Sequence, residues 1–354
     1  MERVVVLVLG CFVLLAGPAA GANTRQSWAS GAIQVVTSHG LFPGTSPATF
    51  RPDDPLTAGD LAGMLTAIGD SSVRTPAVAG ASVSIASLDA AIVRALGLQP
   101  VAAQFADVAR SAGLAPPSRF GTEVVARMLG LRYDLPPSLD SLEPQPAQPA
   151  TRAEAAFSAA RVLSLGLETP TPNPSLSPVA AADTASGVQY VKGISASFAI
   201  PPLSPLQQEI LRTAVSYVGY PYVWGGEDEN VERGFDCSGF VWRVFKLTSY
   251  ADAPGLSDTL KGRTAAQMAL EVPRTERIHR ADLEPGDVLF FRPTPKAKAS
   301  KIDHTAIYLG SGWVIESAGQ GVSLGRLDWF DKRFAWARRP LAEIGLEAFP
   351  APKV

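Results

Sequence analysis

Apolar residues recur with two different periods along this chain, and the change between them separates a helical part from a part that contains strands. In the first half, apolar positions three and four residues apart predict short amphipathic helices. Further along, helical runs are followed by alternating and continuous apolar segments that predict strands. The predicted helices cover 29–36, 61–68, 88–96, 124–131, 207–218 and 238–247, and the predicted strands cover 285–291, 304–310, 313–317, 321–324 and 334–337.

Two helix starts in the first half share one local pattern. Each has a Pro-containing loop, a Thr cap, an acidic residue three positions later and an apolar helix. Thr57 with Asp60, and Thr151 with Glu154, fit the spacing of a capping box. The recurrence of the unit predicts internal repeats.

The first 22 residues have the organisation of a secretory signal peptide. After a short charged start, residues 4–16 form an apolar run of roughly 13 residues, shorter than the ~20 that a membrane-spanning helix needs. Ala20 and Ala22 give a small-residue cleavage site, so we expect removal after Ala22. An uncleaved anchor and a lipoprotein attached at Cys11 are the alternatives. No later apolar stretch is long enough to span a membrane.

Proline is concentrated in the middle of the chain. Residues 136–205 contain twelve prolines, and the densest part is the Thr-Pro-Thr-Pro-Asn-Pro run at 169–174. Such a composition is typical of an extended, semi-rigid spacer. We therefore predict a helical repeat domain at 23–166, a Pro-rich linker at 167–203 and a second domain at 204–345.

Composition and charge exclude several classes of protein. The chain has 354 residues, and 31 basic against 33 acidic residues give a net charge of −2. This balance excludes a generally basic protein that coats nucleic acid. Three histidines and two cysteines exclude zinc fingers and disulfide-dense scaffolds. The sequence shows no cluster with metal-ligand spacing and no nucleotide-binding loop, so we expect neither metal nor cofactor.

The positions of the two cysteines single out the thiol of Cys237. If the signal peptide is removed, Cys11 leaves with it and Cys237 is the cysteine that remains. Cys237 precedes a run with helical periodicity at 238–247, so we expect it at a helix N-terminus. The positive end of a helix stabilises a thiolate, which is the nucleophilic form of cysteine. A buried, inert thiol is the alternative.

The best candidate for a partner of this thiol is His304. It begins a predicted strand, and a Ser-Gly turn at 311–312 pairs that strand with the next one. Near-opposite positions such as His304 and Glu316 can then share a face of the sheet, where Glu316 would orient the imidazole as the third member of a triad. His39 and His279 lie in the repeat part and in a charged stretch.

Four motifs in the second domain resemble the NlpC/P60 cysteine peptidases. They are Pro-Tyr-Val-Trp-Gly-Gly at 221–226, Phe-Asp-Cys-Ser-Gly-Phe-Val at 235–241, Pro-Gly-Asp-Val at 285–288 and His-x3-Tyr-Leu-Gly at 304–310, in the family's order. The resemblance implies an α+β papain-like fold, with N-terminal helices packed on a small antiparallel sheet. It also implies hydrolysis of bacterial cell-wall peptides, often between D-γ-glutamate and meso-diaminopimelate.

The resemblance assigns roles to residues that match the motifs. Cys237 would be the nucleophile, and His304 the general base and then the acid that protonates the leaving amine. Tyr222 and the backbone N–H of Cys237 would stabilise the oxyanion. The third polar position of the family usually holds His, Asn or Gln, and here it aligns with Glu316; Gln320 is the alternative orienting residue.

The resemblance also implies a substrate cleft. Its walls would include Asp236, Ser238 and Trp224. The stretch from Tyr222 to Cys237 is longer than is usual in the family, and it contains an acidic loop at 227–229.

The first domain resembles the S-layer homology (SLH) repeats. Trp28, Gly40 and the Phe-Arg-Pro run at 50–52 carry the resemblance, and so does Thr-Arg-Ala-Glu at 151–154. Three repeats of about 47 residues would fill 25–166. The resemblance implies anchoring to an anionic secondary cell-wall polymer, with Arg152 and Glu154 as the anchoring residues. The first unit has no arginine at the equivalent place, and a helical spacer without a ligand is the alternative.

These features together predict a secreted, cell-wall-associated peptidoglycan hydrolase that acts on stem peptides as a cysteine endopeptidase. Two alternatives remain open at the level of the sequence. One is a catalytically weak or inactive wall-binding protein. The other is an amidase or acyltransferase that uses the same Cys–His pair.

Overall fold

The structure is a computed structural model that describes residues 27–70, 72–165, 187–298, 301–330 and 332–350. The predicted signal peptide at 1–22 and most of the Pro-rich run lie outside the described residues.

The first half folds into a helical body at residues 27–165. Its helices begin where polar caps precede apolar runs, and their apolar faces meet in a common core. The helices are α1 (Ser30–Ser38), α2 (Ala58–Ala67), α3 (Ile85–Ala95), α4 (Gln99–Ser111), α5 (Phe120–Met128) and α6 (Arg152–Leu165).

Three of these helices begin close together. Thr57 caps α2 with its side chain, in a reciprocal bond with Asp60, and Ser84 caps α3. Thr151 exchanges the same kind of hydrogen bonds with Glu154 at the start of α6. Isolated antiparallel bridges join Thr57 to Ser82 and Ser84 to Pro149. Three loop–cap–helix units therefore meet at one place.

The second half is built on a five-stranded antiparallel sheet with the order β4-β3-β2-β1-β5. The register pairs Ile307 with Ile315 across β2 and β3, and Glu316 with Ser323 across β3 and β4. The strands are β1 (Val288–Phe291), β2 (His304–Gly310), β3 (Trp313–Ala318), β4 (Gly321–Arg326) and β5 (Phe334–Arg338). The predicted antiparallel sheet is confirmed.

Helices cover one face of this sheet, and a small apolar cluster covers the other. Ile307 and Ile315 share the main core with helix α9 (Cys237–Phe245), which packs on β2 and β3. On the opposite face, Phe291 packs with Phe330. The helices of this part are α7 (Gly187–Ser195), α8 (Pro205–Ser216), α9 (Cys237–Phe245), α10 (Ala265–Leu270) and α11 (Pro340–Glu343). This is the predicted α+β arrangement.

The C-terminal end of the predicted linker is folded, which corrects the boundary at 203. Residues 187–195 form α7, which packs against α4, and Phe198 is buried between Phe105 and Trp313. Leu165 lies directly against Gly187, so closely that a methyl group at Gly187 would come within 2.7 Å of Leu165 Cδ2. Leu165 and Gly187 are therefore neighbours in space.

The helical body and the sheet share a junction centred on α5. This helix packs against β4, which would otherwise be an exposed edge strand. Arg127 of α5 donates to the carbonyl oxygen of Gly219, and Arg119 donates to the carbonyl oxygens of Ser216 (2.7 Å) and Val218 (3.2 Å). The two halves thus form one continuous core rather than two separated bodies.

Buried charges accompany this junction. Arg127 pairs with Glu123 (2.9 Å) and lies 3.7 Å from Asp89, and Arg132 also pairs with Asp89. Removal from water opposes this arrangement, so each charge depends on its partners.

Among the helices of the residues that the structure describes, no single helix is both long and apolar enough to cross a membrane. α3 and α4 reach the required length and apolar character only when taken together, and a bend of 120° separates them.

Candidate active site

Cys237 is the first residue of α9, as the sequence predicts, and Asp236 caps that helix. The Asp236 carboxylate accepts hydrogen bonds from the Gly239 N–H (2.5 Å) and from the Ser238 hydroxyl (3.0 Å). The Cys237 Sγ lies 3.9 Å from the carbonyl oxygen of Asp303 and is partly exposed. The thiol therefore sits at the positive end of a capped helix, where a thiolate is stabilised.

Gly239 allows this helix start to pack tightly. A Cβ at Gly239 would come within 1.8 Å of the carbonyl oxygen of Gly226. A larger residue would push the loop at 222–226 away from the helix. The glycine after Asp-Cys-Ser is thus required by packing, because it holds that loop beside the thiol.

His304 and Glu316 meet on one face of the sheet. His304 is the first residue of β2, and its Nε2 is hydrogen-bonded to Glu316 Oε2 on β3. His304 also interacts with the Cys237 side chain, which contributes to its electrostatic surroundings. Gln320, the alternative orienting residue, instead accepts a hydrogen bond from the Arg132 backbone N–H (3.3 Å). The structure therefore places Glu316 in the orienting position.

The surroundings of His304 favour its charged form. Phe291 and Phe330 flank the ring, each with its centroid at 5.7 Å. Burial opposes the charge, but the Glu316 carboxylate and the hydrogen bonds to Cys237 and Glu316 outweigh it and raise the pKa of His304 to about 10. At neutral pH the imidazolium is the stable form, which suits a thiolate–imidazolium pair.

Tyr222 lies near the Cys237 thiol as a protonated phenol. Its backbone bridges to Phe235, which places it next to the Asp236–Cys237 turn. Burial, together with the nearby Cys237 and Asp236, raises the pKa of Tyr222 far above its ordinary value of 10.0. The hydroxyl therefore keeps its proton and can donate it in a hydrogen bond to a developing oxyanion.

Arg263 holds the parts of this site together, and the sequence analysis missed it. Its guanidinium donates to Asp236 (3.2 Å), to the Ser238 hydroxyl (2.9 Å) and to the carbonyl oxygens of Gly225 and Gly226 (3.0 Å each). It also pairs with Glu227 of the acidic loop. One side chain thus fixes the helix cap against the loop that carries Tyr222. Its position directly before the cap residue of α10 gives no periodic signal.

The helical body also contacts the loop that carries Tyr222 and Trp224, which the sequence did not predict. Asp140 accepts a hydrogen bond from the Trp224 backbone N–H (2.8 Å), while the Trp224 side chain is 70% exposed. Burial and the neighbouring Asp140 raise the pKa of Asp134 to about 6. Burial likewise raises the pKa of Glu143 to about 8.

The acidic loop is fixed by partners on both sides. Gln145 of the helical body donates to the carbonyl oxygens of Glu229 (2.5 Å) and Arg233 (3.1 Å). Arg243 of α9 pairs with the Glu229 carboxylate (2.7 Å). The carboxylates of this loop therefore serve mainly to hold its shape.

This arrangement has the parts that acyl transfer through a thioester requires. A thiol lies at a helix N-terminus, an oriented imidazolium can supply a proton, and a phenol and backbone N–H groups can stabilise an oxyanion.

Comparison with known proteins agrees with this chemistry. Residues 219–339 match the model of the NlpC/P60 family. The part of the chain that carries the site is thus similar to NlpC/P60 domains. Residues 23–62 match the model of the S-layer homology domain.

Curated relatives match the NlpC/P60 domain over part of their length. The probable endopeptidase YafL of Escherichia coli (strain K12) is 36% identical over 130 residues, which are 36% of this chain and 47% of YafL. The bifunctional muramidase/DL-endopeptidase CwlT of Bacillus subtilis (strain 168) is 32% identical over 159 residues, 43% of this chain and 42% of CwlT. The chain thus spans less than half the length of these two relatives.

Among solved structures, the NlpC/p60 domain of the peptidoglycan hydrolase SagA is 30% identical. The match covers 37% of this chain and 97% of that domain, with a TM-score of 0.28.

The residues predicted to anchor the protein are largely buried beside the SLH match. Arg152 is 8% exposed, and its guanidinium lies over the rings of Phe42 (5.1 Å) and Phe50 (4.9 Å). It also pairs with Asp60 and donates to the Phe50 carbonyl oxygen. Glu154 is engaged in the capping box of α6. Both side chains thus have structural partners, and an anchoring role for them stays a prediction.

Proposed function

We propose that this chain is a secreted peptidoglycan hydrolase that cleaves stem peptides by cysteine catalysis. The observation that carries the proposal is the grouping of Cys237, His304 and Glu316. Cys237 lies at a capped helix N-terminus near the phenol of Tyr222, and His304 is hydrogen-bonded to Glu316. The NlpC/P60 match and the wall-hydrolase names of several relatives support it.

The geometry supports a two-step mechanism. The Cys237 thiolate attacks the scissile carbonyl carbon, and Tyr222 and the Cys237 N–H donate to the oxyanion. The His304 imidazolium gives its proton to the leaving amine as the C–N bond breaks, which leaves a thioester and a neutral imidazole. The imidazole then takes a proton from water as the water attacks the thioester, which releases the acid and restores the starting pair.

The bond that we propose is the one between D-γ-glutamate and diaminopimelate. It joins a D-residue to the L-centre of the next one, which is the class named in the DL-endopeptidase relative.

We further propose that residues 1–22 direct export and that the helical body associates with the cell wall. The SLH match at residues 23–62 supports association with the wall, with an anionic secondary polymer as its partner.

Muropeptide digestion tests the activity directly. The chain without residues 1–22 should release a dipeptide from peptidoglycan fragments, detected by mass spectrometry. Cys237→Ala should release none, because the substitution removes the nucleophile. The substitution is at a partly exposed position, so thermal unfolding should match the wild type and serves as the folding control.

The same assay separates the competing functions. Release of a different fragment would identify an amidase or acyltransferase. If no fragment is released and the Cys237 thiol fails to react with iodoacetamide at neutral pH, the catalytic proposal is wrong.

A further inference from the structure

Among the residues that the structure describes, no group is hydrogen-bonded to the Tyr222 hydroxyl. Tyr222 is held instead through its backbone, which bridges to Phe235. We call the surrounding segment, residues 219–235, the Tyr222 loop. The position of the phenol therefore depends on how firmly this loop is fixed.

One end of the Tyr222 loop is tied to helix α5. Arg127 donates a hydrogen bond to the carbonyl oxygen of Gly219, the first residue of the loop. The guanidinium of Arg119 lies 5.6 Å from the ring centre of Tyr220, the next residue. The loop is thus attached to the helical body three residues before Tyr222.

The connector between α5 and α6 holds the rest of the loop. Asp140 accepts a hydrogen bond from the Trp224 backbone N–H (2.8 Å), and Trp224 exposes 70% of its surface. The hydrogen bond, rather than packing, therefore fixes this residue. Gln145 donates from its amide nitrogen to the carbonyl oxygens of both Glu229 (2.5 Å) and Arg233 (3.1 Å).

This connector is itself fixed at both ends. The Leu135 N–H donates to the carboxylate of Glu143 (2.7 Å), which is buried. At the far end, Pro149 bridges to Ser84 at the start of α3. Asp140 lies between these points, in a short 3₁₀ turn (Pro137–Leu142). The connector can therefore hold the Tyr222 loop in a defined place relative to the helical body.

The opposite side of the loop is held from within the catalytic half. Arg263 donates to the carbonyl oxygens of Gly225 and Gly226 (3.0 Å each). Tyr222 thus lies in a loop that is supported from two sides, whereas Cys237 is fixed by its own helix. Loss of the support from the helical body should displace the phenol and leave the thiol in place.

We infer that Asp140 and Gln145 are positioning residues of the active site, which hold the Tyr222 loop from the helical body so that the phenol meets the oxyanion. The inference rests on the proposed function, because it assumes that Tyr222 donates to an oxyanion. The helical body is then needed for turnover as well as for association with the wall.

Two substitutions of Asp140 test its hydrogen bond to Trp224. Asp140→Ala removes the acceptor, so kcat for dipeptide release should fall about fivefold while KM changes less than about twofold. Asp140→Asn keeps an acceptor oxygen and should restore most of the lost kcat. Asp107→Ala, on the exposed side of α4, is the matched control and should leave both constants unchanged. An unaltered kcat for Asp140→Ala, with thermal unfolding as in the wild type, would overturn the role of Asp140.

Gln145→Glu tests the second contact without a change of shape. It replaces the donating amide with a carboxylate that faces two carbonyl oxygens, so kcat should fall about tenfold. Gln34→Glu, at an exposed position of α1, adds the same charge elsewhere in the helical body and should leave kcat unchanged. The role of Gln145 is wrong if Gln145→Glu turns over as fast as Gln34→Glu.

Thiol alkylation separates the positioning of Tyr222 from general damage to the site. Iodoacetamide reacts with the Cys237 thiolate without forming an oxyanion, so Asp140→Ala and Gln145→Glu should be alkylated at the wild-type rate. A fall in the alkylation rate parallel to the fall in kcat would show that the two residues support the thiol as well, which would overturn an action through Tyr222.

A double-mutant cycle identifies the group through which Asp140 acts. In a Tyr222→Phe background, which lacks the hydroxyl, Asp140→Ala should lower kcat by less than about twofold further. The same fivefold fall in both backgrounds would overturn the inference and leave the proposed function standing. Absence of dipeptide release by the wild type would instead overturn the proposed function, and the inference with it.

Discussion

The junction and the cleft both bury charge, but they do so with different residues. At the junction, Arg127 pairs with Glu123, and burial raises the pKa of Glu123 to about 7 despite that partner. At the cleft, His304 pairs with Glu316, and the pKa of His304 rises to about 10. The junction contains an arginine, which keeps its proton, and the cleft contains a histidine, which can transfer its proton.

This difference between arginine and histidine distinguishes a structural role from a role in proton transfer. A guanidinium holds a fixed charge in a fixed geometry, so the junction is suited to joining two halves of a fold. An imidazolium has the same charge near neutral pH and can still transfer a proton. Substitutions in the two regions should therefore differ in kind: stability should respond at the junction, and turnover at the cleft.

The largest effect should come from removing the buried cation of the junction. Arg127→Met leaves the buried Glu123 carboxyl group without its arginine and removes one of the two arginines beside Asp89, so we expect a loss of about 3–5 kcal/mol in the free energy of unfolding. Urea denaturation measures it. The exposed Arg110→Met should change stability by less than about 0.5 kcal/mol. If Arg127→Met also changed the free energy of unfolding by less than about 0.5 kcal/mol, the buried charges of the junction would not be needed for stability.

At the cleft, Glu316→Gln keeps the shape and removes the charge. The pKa of His304 should fall toward its ordinary value of 6.5, because the carboxylate that raises it is gone. We expect kcat/KM at pH 8 to fall about tenfold, or ~1.4 kcal/mol of transition-state stabilisation. The alkaline limb of the pH–rate profile should move to lower pH. An unchanged limb would mean that another group sets it.

The same pair makes stability depend on pH in a defined direction. The folded pKa of His304 lies above 6.5, so the pair's contribution is complete below pH 6.5 and is lost as the pH rises through about 10. Urea denaturation of the wild type and of Glu316→Gln across this range should give curves that converge at the alkaline end.

Substitution of Arg263 tests whether this residue affects turnover by positioning its neighbours Asp236 and Ser238. Arg263→Lys keeps the charge but cannot reach Asp236, Ser238 and the glycine carbonyls together, so kcat should fall about fivefold, or ~1 kcal/mol. The kcat of Arg263→Ala should be lower still, and added guanidinium should partly restore it. A change confined to thermal stability, with kcat unaltered, would assign Arg263 a structural role alone.

The smallest effect concerns the connection between the two regions. Residues 166–186 join ends that already touch at Leu165 and Gly187, so a four-residue Gly-Ser loop should replace them. The shorter closure should stabilise the fold by about 1 kcal/mol and leave kcat/KM unchanged. A loss of stability or activity would show that the replaced segment does more than connect.

What the sequence predicted well are features determined by neighbours along the chain. The Thr57 and Thr151 caps and the start of α9 at Cys237 depend on residues within a few positions. The pairing of His304 with Glu316 follows from one tight turn and the alternation of a strand. These signals are local, so periodicity and turn chemistry were sufficient.

What the sequence did not predict are contacts between distant segments. Asp140 and Trp224 are 84 positions apart, and Arg263 reaches residues 25 to 38 positions away. No hydrophobic period marks such partners, because they are brought together only when distant segments of the chain pack against one another. The contact of Leu165 with Gly187 was hidden in the same way, since a Pro-rich composition alone favours a spacer.

The meeting of Leu165 and Gly187 has a consequence for where the enzyme can act. When a flexible linker joins a catalytic domain to an anchor, the distance between the two can grow with the length of the linker. Here Leu165 and Gly187 are fixed next to each other in a shared core, so the distance between the two halves does not depend on the length of the segment that joins these residues. A molecule held by its helical body would cut only within its own diameter, so the spacing of attachment points would set the spacing of cuts.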